Sequence, residues 1–169
     1  MNGDSADRTE PSGRVDGIFH PVISVSRMAD VLRFYRDLLG LRVTFDDWHE
    51  PAAIAQLFGF ENPRLHSAIV ECPDGTEIEL VEFEQPRGRP LVERGMPDAG
   101  LAALNVRVSG IAGLVDRIRS AGFAVPSGIV EQTLPDGAVL SVAVCRAPDG
   151  VTVILVEPPA GRRSLGGNG

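Results

Sequence analysis

A histidine and a glutamate in two predicted strands are the residues best suited to chemistry in this chain. His20 opens an alternating stretch of residues, and Glu79 lies between Ile78 and Leu80 in another such stretch. Burying a lone carboxylate costs roughly several kcal/mol unless it is paired or solvated. We therefore expect Glu79 to act as a metal ligand or a general base, or to form a structural salt bridge, for which Arg107 is the candidate partner.

An internal repeat places this polar pair in only one half of the chain. The strand that begins at His20 corresponds to one that begins at Ala103, and the segment around Glu79 corresponds to one around Ile154. Such a repeat indicates that one supersecondary unit is used twice. His20 itself has three alternative roles: metal ligand, proton-transfer group, or hydrogen-bonded structural residue.

Each copy has the pattern of a β-α-β-β-β unit. The first copy predicts strands at residues 19–25, 41–45, 65–72 and 77–83, with a helix that has Ser26 as its N-cap and ends at Gly40. The second predicts strands at residues 104–108, 123–125, 139–145 and 151–157, with a helix that ends at Gly122. Residues 51–58 form a short additional helix in the first copy.

The hairpin turn at residues 74–75 predicts which side chains share a face. We expect Val70 opposite Glu79 and Cys72 opposite Glu77. On the face of Glu79 we then expect His20, His66, Ala68, Val70, Cys72, Glu77, Val81 and Phe83. The corresponding face of the second copy is expected to carry Ala103, Asn105, Arg107, Ala143, Cys145, Ile154 and Val156.

Composition limits the function classes. The chain has 169 residues, 43% of them hydrophobic, and a net charge of -7, which argues against nucleic-acid binding. No apolar run approaches the roughly 20 residues of a membrane span, and two cysteines outside any metal spacing are typical of a reduced, cytoplasmic protein. We expect one fused domain: a disordered tail (1–16), a first module (17–85), a linker (86–100), a second module (101–158) and a flexible tail (159–169).

Three local segments, in order, identify a family resemblance over residues 18–158. They are His20 before an alternating strand, the sequence Phe-Tyr-Arg-Asp-Leu-Leu-Gly-Leu at residues 34–41, and the Pro-Asp-Gly turn before Ile-Glu-Leu at residues 78–80. Together they resemble the vicinal oxygen chelate family, also called the glyoxalase/bleomycin-resistance/dioxygenase superfamily. The resemblance implies an α+β fold in which two paired β-α-β-β-β modules form a half-open barrel around a central cavity.

The resemblance also implies a divalent metal held by first-strand histidines and last-strand glutamates. His20 and Glu79 match the ligand positions of the first module, but Ala103 and Ile154 occupy those of the second and cannot bind metal. Because catalytic zinc usually keeps three protein ligands, we expect an incomplete site and a metal that is weakly held or absent.

Further residues are candidates for substrate binding. His66 is expected at the mouth of the cavity, and Asn105, Arg107 and Cys145 on its second wall. Trp48 and Phe58, with Phe60, either cover an apolar ligand or cap the end of the barrel. Catalysis by Cys145 as a nucleophile is not expected, because no base adjoins it in the sequence.

Two functions follow as expectations. The first is a glyoxalase-like lyase, isomerase or epimerase that moves a proton next to a carbonyl, with Glu79 as the base and His20 assisting. The second is a non-catalytic protein that binds a drug-like aromatic compound, as resistance proteins of this fold do. In either case we expect a small-molecule ligand and a homodimer, without nucleic acid or membrane.

Overall fold

A computed structural model describes residues 15–88, 100 and 103–162 of the chain. Most of the predicted N-terminal tail, most of the linker and the end of the C-terminal tail lie outside the described residues. Within these ranges, no helix is long and apolar enough to cross a membrane.

Two modules with the same order of elements make up the described chain. The first module contains β1 (Val22–Val25), α1 (Met28–Leu32), β2 (Arg42–His49), α2 (Ala52–Phe58), β3 (Arg64–Glu71) and β4 (Glu77–Gln85). The second contains β5 (Leu104–Arg107), α3 (Ile111–Ser120), β6 (Ile129–Thr133), β7 (Val139–Arg146) and β8 (Thr152–Glu157). A π-helical segment, Arg33–Leu38, continues α1.

Each module forms one four-stranded mixed sheet. The strand orders are β1-β4-β3-β2 and β5-β8-β7-β6, so the two sheets have the same topology. The first strand of each module pairs in parallel with the last, and the other pairs are antiparallel. The α+β fold of two β-α-β-β-β modules is therefore confirmed, although the sheets of one chain are not closed into a barrel.

Two local predictions were wrong. Residues 123–125 do not form a strand; the strand that follows α3, β6, begins at Ile129 instead. Ser26 is not the N-cap of α1, because Arg27 occupies that position. The backbone N–H of Ser26 instead donates to Asp149 in the other module. The end of the helix at Gly40, with φ at 75°, is as expected.

A glutamate of the last strand anchors the helix of each module. Glu82 on β4 accepts a hydrogen bond of 2.7 Å from the backbone N–H of Met28 at the start of α1. Its counterpart Glu157 on β8 accepts bonds from the N–H groups of Gly110 and Ile111 at the start of α3. The first N–H groups of a helix have no partner within it, and a carboxylate there also favours the helix dipole.

The helical sides of both sheets share one hydrophobic core. Phe34 and Tyr35 from the π-helical segment lie in it with Val115 and Ile118 of α3, all at most 1% exposed. The ring of Phe34 also meets that of Phe123 edge-on at 5.1 Å. Burying a large apolar side chain stabilises a fold by about 1.5–3 kcal/mol, so this core joins the two modules firmly.

The turns of the two modules also reach across to each other. Asp149 accepts the bond from Ser26 at 3.0 Å, and its counterpart Asp74 forms an ion pair of 3.0 Å with Arg107. Each turn thus contacts the module to which it does not belong. The backbone N–H of Thr76, and to a smaller extent Arg107, lowers the pKa of Asp74.

Replacing Glu82 tests the helix anchor. We expect Glu82→Ala to lower the free energy of unfolding by about 1 kcal/mol, because the N–H of Met28 loses its partner. Glu82→Gln, which keeps an accepting oxygen, should lose less. Urea denaturation would measure this, with Glu131→Ala, an exposed glutamate on β6, as the control. Equal stability of Glu82→Ala and Glu131→Ala would contradict the anchoring role.

Candidate active site on the open face of the first sheet

His20 and Glu79 meet on the face of the first sheet that points away from the helices. We call this face of each sheet its open face. Val22 on β1 is paired with Glu79 on β4, so His20, two residues before Val22, lies on the same face. Nε2 of His20 lies 3.3 Å from Oε2 of Glu79, and their side chains are 13% and 26% exposed. The expected proximity of the two residues is confirmed.

The cross-strand neighbours of Glu79 differ from those expected. Ile69 is opposite Glu79, and Ser67 is opposite Val81. The reason is the turn: the N–H of Cys72 donates to the carbonyl of Thr76 at 2.8 Å, which leaves three residues in the loop instead of two. The pairing of Val70 with Glu79 was therefore wrong by one residue, and a shift of one residue exchanges the faces of a strand.

His66 consequently lies on the opposite side of the sheet from Glu79. It is paired with Glu82 and with Trp48, whose ring stacks on its own at 4.8 Å. Its Nε2 lies 2.5 Å from Oδ1 of Asp46. The placement of His66 on the cavity face is thus corrected by the register, and its role in substrate binding loses its geometric basis.

The same one-residue difference moves Cys145 into the core. The N–H of Ala147 donates to the carbonyl of Val151, so Cys145 is opposite Val153 and Ala143 is opposite Leu155, on the helical side. Cys145 is fully buried, and its thiol donates to the carbonyl of Val153 at 3.3 Å. Its predicted contact with substrate on the open face was wrong.

The open face of the second sheet is mainly aliphatic. Asn105 is paired with Ile154, and Arg107 with Val156, so both polar residues lie on this face as expected. Val130, Val142 and Val144 lie beside them on this face, and Arg146 and Thr152 lie at its end. The Arg107 side chain is 41% exposed and forms an ion pair with Asp74. The structure therefore does not show the alternative salt bridge between Arg107 and Glu79.

The aromatic residues Trp48, Phe58 and Phe60, which were predicted to cover a ligand or to cap the barrel, fall into two groups. Phe58 stacks on Phe60 at 5.8 Å, and Phe60 meets Phe83 edge-on at the same distance. Phe83 is two residues beyond Val81 on β4, so this group lies at one end of the open face that carries Glu79. Trp48 belongs to the other group, with His66 and with the guanidinium of Arg64 at 4.7 Å from its ring.

Sequence reasoning missed a second polar pair on the open face. Nε2 of His49 lies 3.2 Å from Oγ of Ser67, and the His49 ring stacks on Phe45 at 6.0 Å. The second strand was predicted to end at residue 45, but β2 extends to include His49. The available signal was the alternation Phe45, Asp47, His49, which continues the strand beyond its predicted end.

The donors of one chain do not fit a closed metal site. Two donors, His20 and Glu79, lie together, whereas Ala103 and Ile154 hold the matching positions of the second module. Within the described residues, no group of three or more His, Cys, Asp or Glu side chains is arranged to hold a metal ion. Nδ1 of His20 is buried and has no hydrogen-bond partner in that part of the chain.

Two four-stranded sheets of one topology, each formed by a β-α-β-β-β module, define the fold class of this chain. Residues 17–155 match the family model of the Glyoxalase/Bleomycin resistance protein/Dioxygenase superfamily, so the chain belongs to this superfamily.

Two curated relatives and one solved structure illustrate the similarity. The chain is 27% identical to a lactoylglutathione lyase-like protein of Aspergillus terreus, over 89% of this chain and 79% of the relative. It is 30% identical to a virulence protein of Salmonella typhimurium, over 80% of each. A glyoxalase family protein from Bacillus cereus shares the fold, with a TM-score of 0.73 at 18% identity, over 87% of this chain and 97% of that structure.

The reactivity of the two thiols tests the register. Burial raises the pKa of Cys145 to about 11 and also raises that of Cys72, which is half-buried. We expect Cys72 to react with an alkylating reagent faster than Cys145, which should react only on unfolding, because the thiolate is the nucleophile. Mass spectrometry of the wild type and of Cys72→Ser would measure both rates. Rapid labelling of Cys145 in the folded protein would instead place it on the open face.

Proposed function

We propose that the chain is a glyoxalase-like enzyme that moves a proton at a carbon next to the carbonyl group of a small molecule. The observation that supports this is the Glu79 carboxylate, which is partly exposed on the open face and lies against His20. Around it on this face lie Val22, Ile69 and Val81. A carboxylate in such surroundings can act as a base without strong competition from water.

His20 positions the base in this proposal. Nε2 of His20 lies 3.3 Å from Oε2 of Glu79, so the imidazole contacts one of the two carboxylate oxygens. The other carboxylate oxygen, Oε1, is then the one that takes the proton from the substrate. The relative whose name indicates a lactoylglutathione lyase supports carbonyl chemistry of this kind.

No step of this proposal uses a metal ion, because the donors of one chain do not complete a site. We propose separately that His20 and Glu79 hold a divalent ion together with substrate oxygens. Metal analysis of the purified protein, compared with His20→Ala and Glu79→Ala, would test it.

Proton exchange in deuterium oxide tests the enzyme proposal. Lactoylglutathione and other small 2-hydroxy carbonyl compounds would be incubated with the protein, and loss of the carbon-bound proton followed by NMR. We expect Glu79→Gln to reduce the exchange rate by about 10²–10⁴-fold, since it removes the general base. Glu77→Gln, the same change two residues away on the same strand and face, is the control and should exchange at the wild-type rate.

The second candidate function is binding without catalysis. It is favoured by the aliphatic open face of the second sheet and by the Phe58–Phe60–Phe83 group at one end of the first. A binding protein would show ligand-dependent thermal stabilisation by apolar aromatic compounds in both wild type and Glu79→Gln, with no exchange in either. This result would overturn the enzyme proposal.

We also propose that two chains pair through these open faces. Val22 and Phe45 on the first sheet, and Val130 on the second, are 39–55% exposed, although all three are large apolar residues on open faces. Exposed apolar area of this kind is typical of protein interfaces. Pairing of the first sheet with the second sheet of a partner would place the His20–Glu79 pair opposite aliphatic side chains.

The oligomeric state tests the pairing. We expect light scattering after size exclusion to give the mass of a dimer, and Val22→Arg to shift it toward the monomer, since a charge would be buried without a partner. Ala112→Arg, on the exposed surface of α3, should remain dimeric. A monomer mass for the wild type at every concentration would contradict the proposal.

A further inference from the structure

The ring of Phe19 is a large apolar group beside the His20–Glu79 pair, and the proposed proton transfer gives it no role. We propose that Phe19 binds an aromatic substituent on the carbon from which Glu79 takes the proton, so that the site prefers aryl-substituted carbonyl compounds. This inference rests on the proposed function and names the substrate class of the same site.

Two contacts connect Phe19 to the base. The centroid of its ring lies 4.7 Å from that of His20, with 41° between the two ring planes. Nε2 of His20 in turn lies 3.3 Å from Oε2 of Glu79. A molecule bound at the Glu79 carboxylate is therefore one imidazole ring away from Phe19. A substituent on its reacting carbon spans that separation.

The start of β1 explains why the rings of two neighbouring residues meet. Successive side chains in a strand point to opposite faces, but β1 begins only at Val22. Phe19 lies before the strand, in a segment without regular structure, and its ring lies against that of His20. The N–H of Glu79 donates to the carbonyl of Pro21 at 3.0 Å, which fixes this segment beside β4. Phe19 is therefore held only two residues from a bond that positions the site.

Nearly all of the Phe19 side chain is open to a ligand. The residue is 88% exposed, although the His20 side chain that it contacts is only 13% exposed. Val22, which is paired with Glu79 across the two strands, is 55% exposed on the open face. Exposed apolar groups next to a few polar ones are typical of ligand sites. Apolar surface therefore adjoins the carboxylate on the β1 side.

An aromatic substituent suits this surface better than a small aliphatic one. Two aromatic rings attract each other through the opposite charge of ring faces and ring edges, in addition to the apolar area that they bury. This attraction changes binding by roughly 2–10-fold. A methyl group at the same place buries less area and lacks the attraction between rings. Because Phe19 and Val22 are uncharged, the substituent recognised here is also uncharged.

Two substrates that differ in one group test the assignment in the deuterium exchange assay. Both are 2-hydroxy thioesters, with either a phenyl or a methyl group on the reacting carbon, and the ratio of their kcat/KM values is compared between variants. The intrinsic reactivities of the two compounds cancel in this comparison. We expect Phe19→Ala to lower the phenyl-to-methyl ratio about 2–10-fold, because the contact between rings is lost. Phe19→Tyr, which keeps a ring, should retain the wild-type ratio.

The control is Ile18→Ala, which removes a 90% exposed apolar side chain from the same segment and should leave the ratio unchanged. Thermal unfolding would show that every variant is folded. An unchanged ratio in Phe19→Ala would overturn the inference. An equal loss of kcat/KM for both compounds would also overturn it, since Phe19 would then only support His20.

Two further outcomes separate the inference from the proposals beside it. Light scattering would compare the mass of Phe19→Ala with that of the wild type, and a lower mass would assign the ring to an interface between chains and overturn its role in substrate binding. Absence of exchange in the wild type with either compound would overturn the proposed function together with this inference. Exchange in the wild type that is lost in Glu79→Gln, with an unchanged ratio in Phe19→Ala, would overturn only the role of Phe19.

Discussion

The bond between the N–H of Cys72 and the carbonyl of Thr76 is the constraint on which the candidate site depends. It closes a three-residue loop and thereby sets the register of the two central strands of the first sheet. Because side chains alternate between faces, this bond decides that Ile69 and Ser67 share a face with Glu79, while His66 does not. The equivalent bond between Ala147 and Val151 sets the second sheet in the same way.

The fold could be predicted from the sequence because its signals are redundant. Two copies of one pattern, each with a helix end at glycine and a Pro-Asp-Gly turn, agree on the same order of elements. The face of Glu79 was only partly predictable, because Asp-Gly is compatible with loops of two or three residues, which differ by the one position that reverses a face. His20 was placed correctly since β1 pairs in parallel with β4, independently of that turn. His49 was missed because tertiary pairing with β3 extended β2 beyond its predicted end.

The difference between the modules lies in their open faces more than in their scaffold. Both modules keep the glutamate that anchors the helix, Glu82 or Glu157, and both keep the aspartate of the turn. Only the first has the His20–Glu79 and His49–Ser67 pairs on its open face, whereas the second has Asn105 and Arg107 beside Ile154 and valines. A ligand that touches both kinds of face is oriented by polar contacts on one side and by apolar packing on the other.

The reciprocal contacts of the turns bear on how a duplicated gene can diverge. Asp74 and Asp149 each bind the module to which they do not belong, so a change in either turn alters the seam between the two halves. Substitutions on an open face leave that seam intact. After duplication, one copy could therefore lose its His–Glu pair while the contacts between the two copies persisted. The two halves of this chain differ in this way.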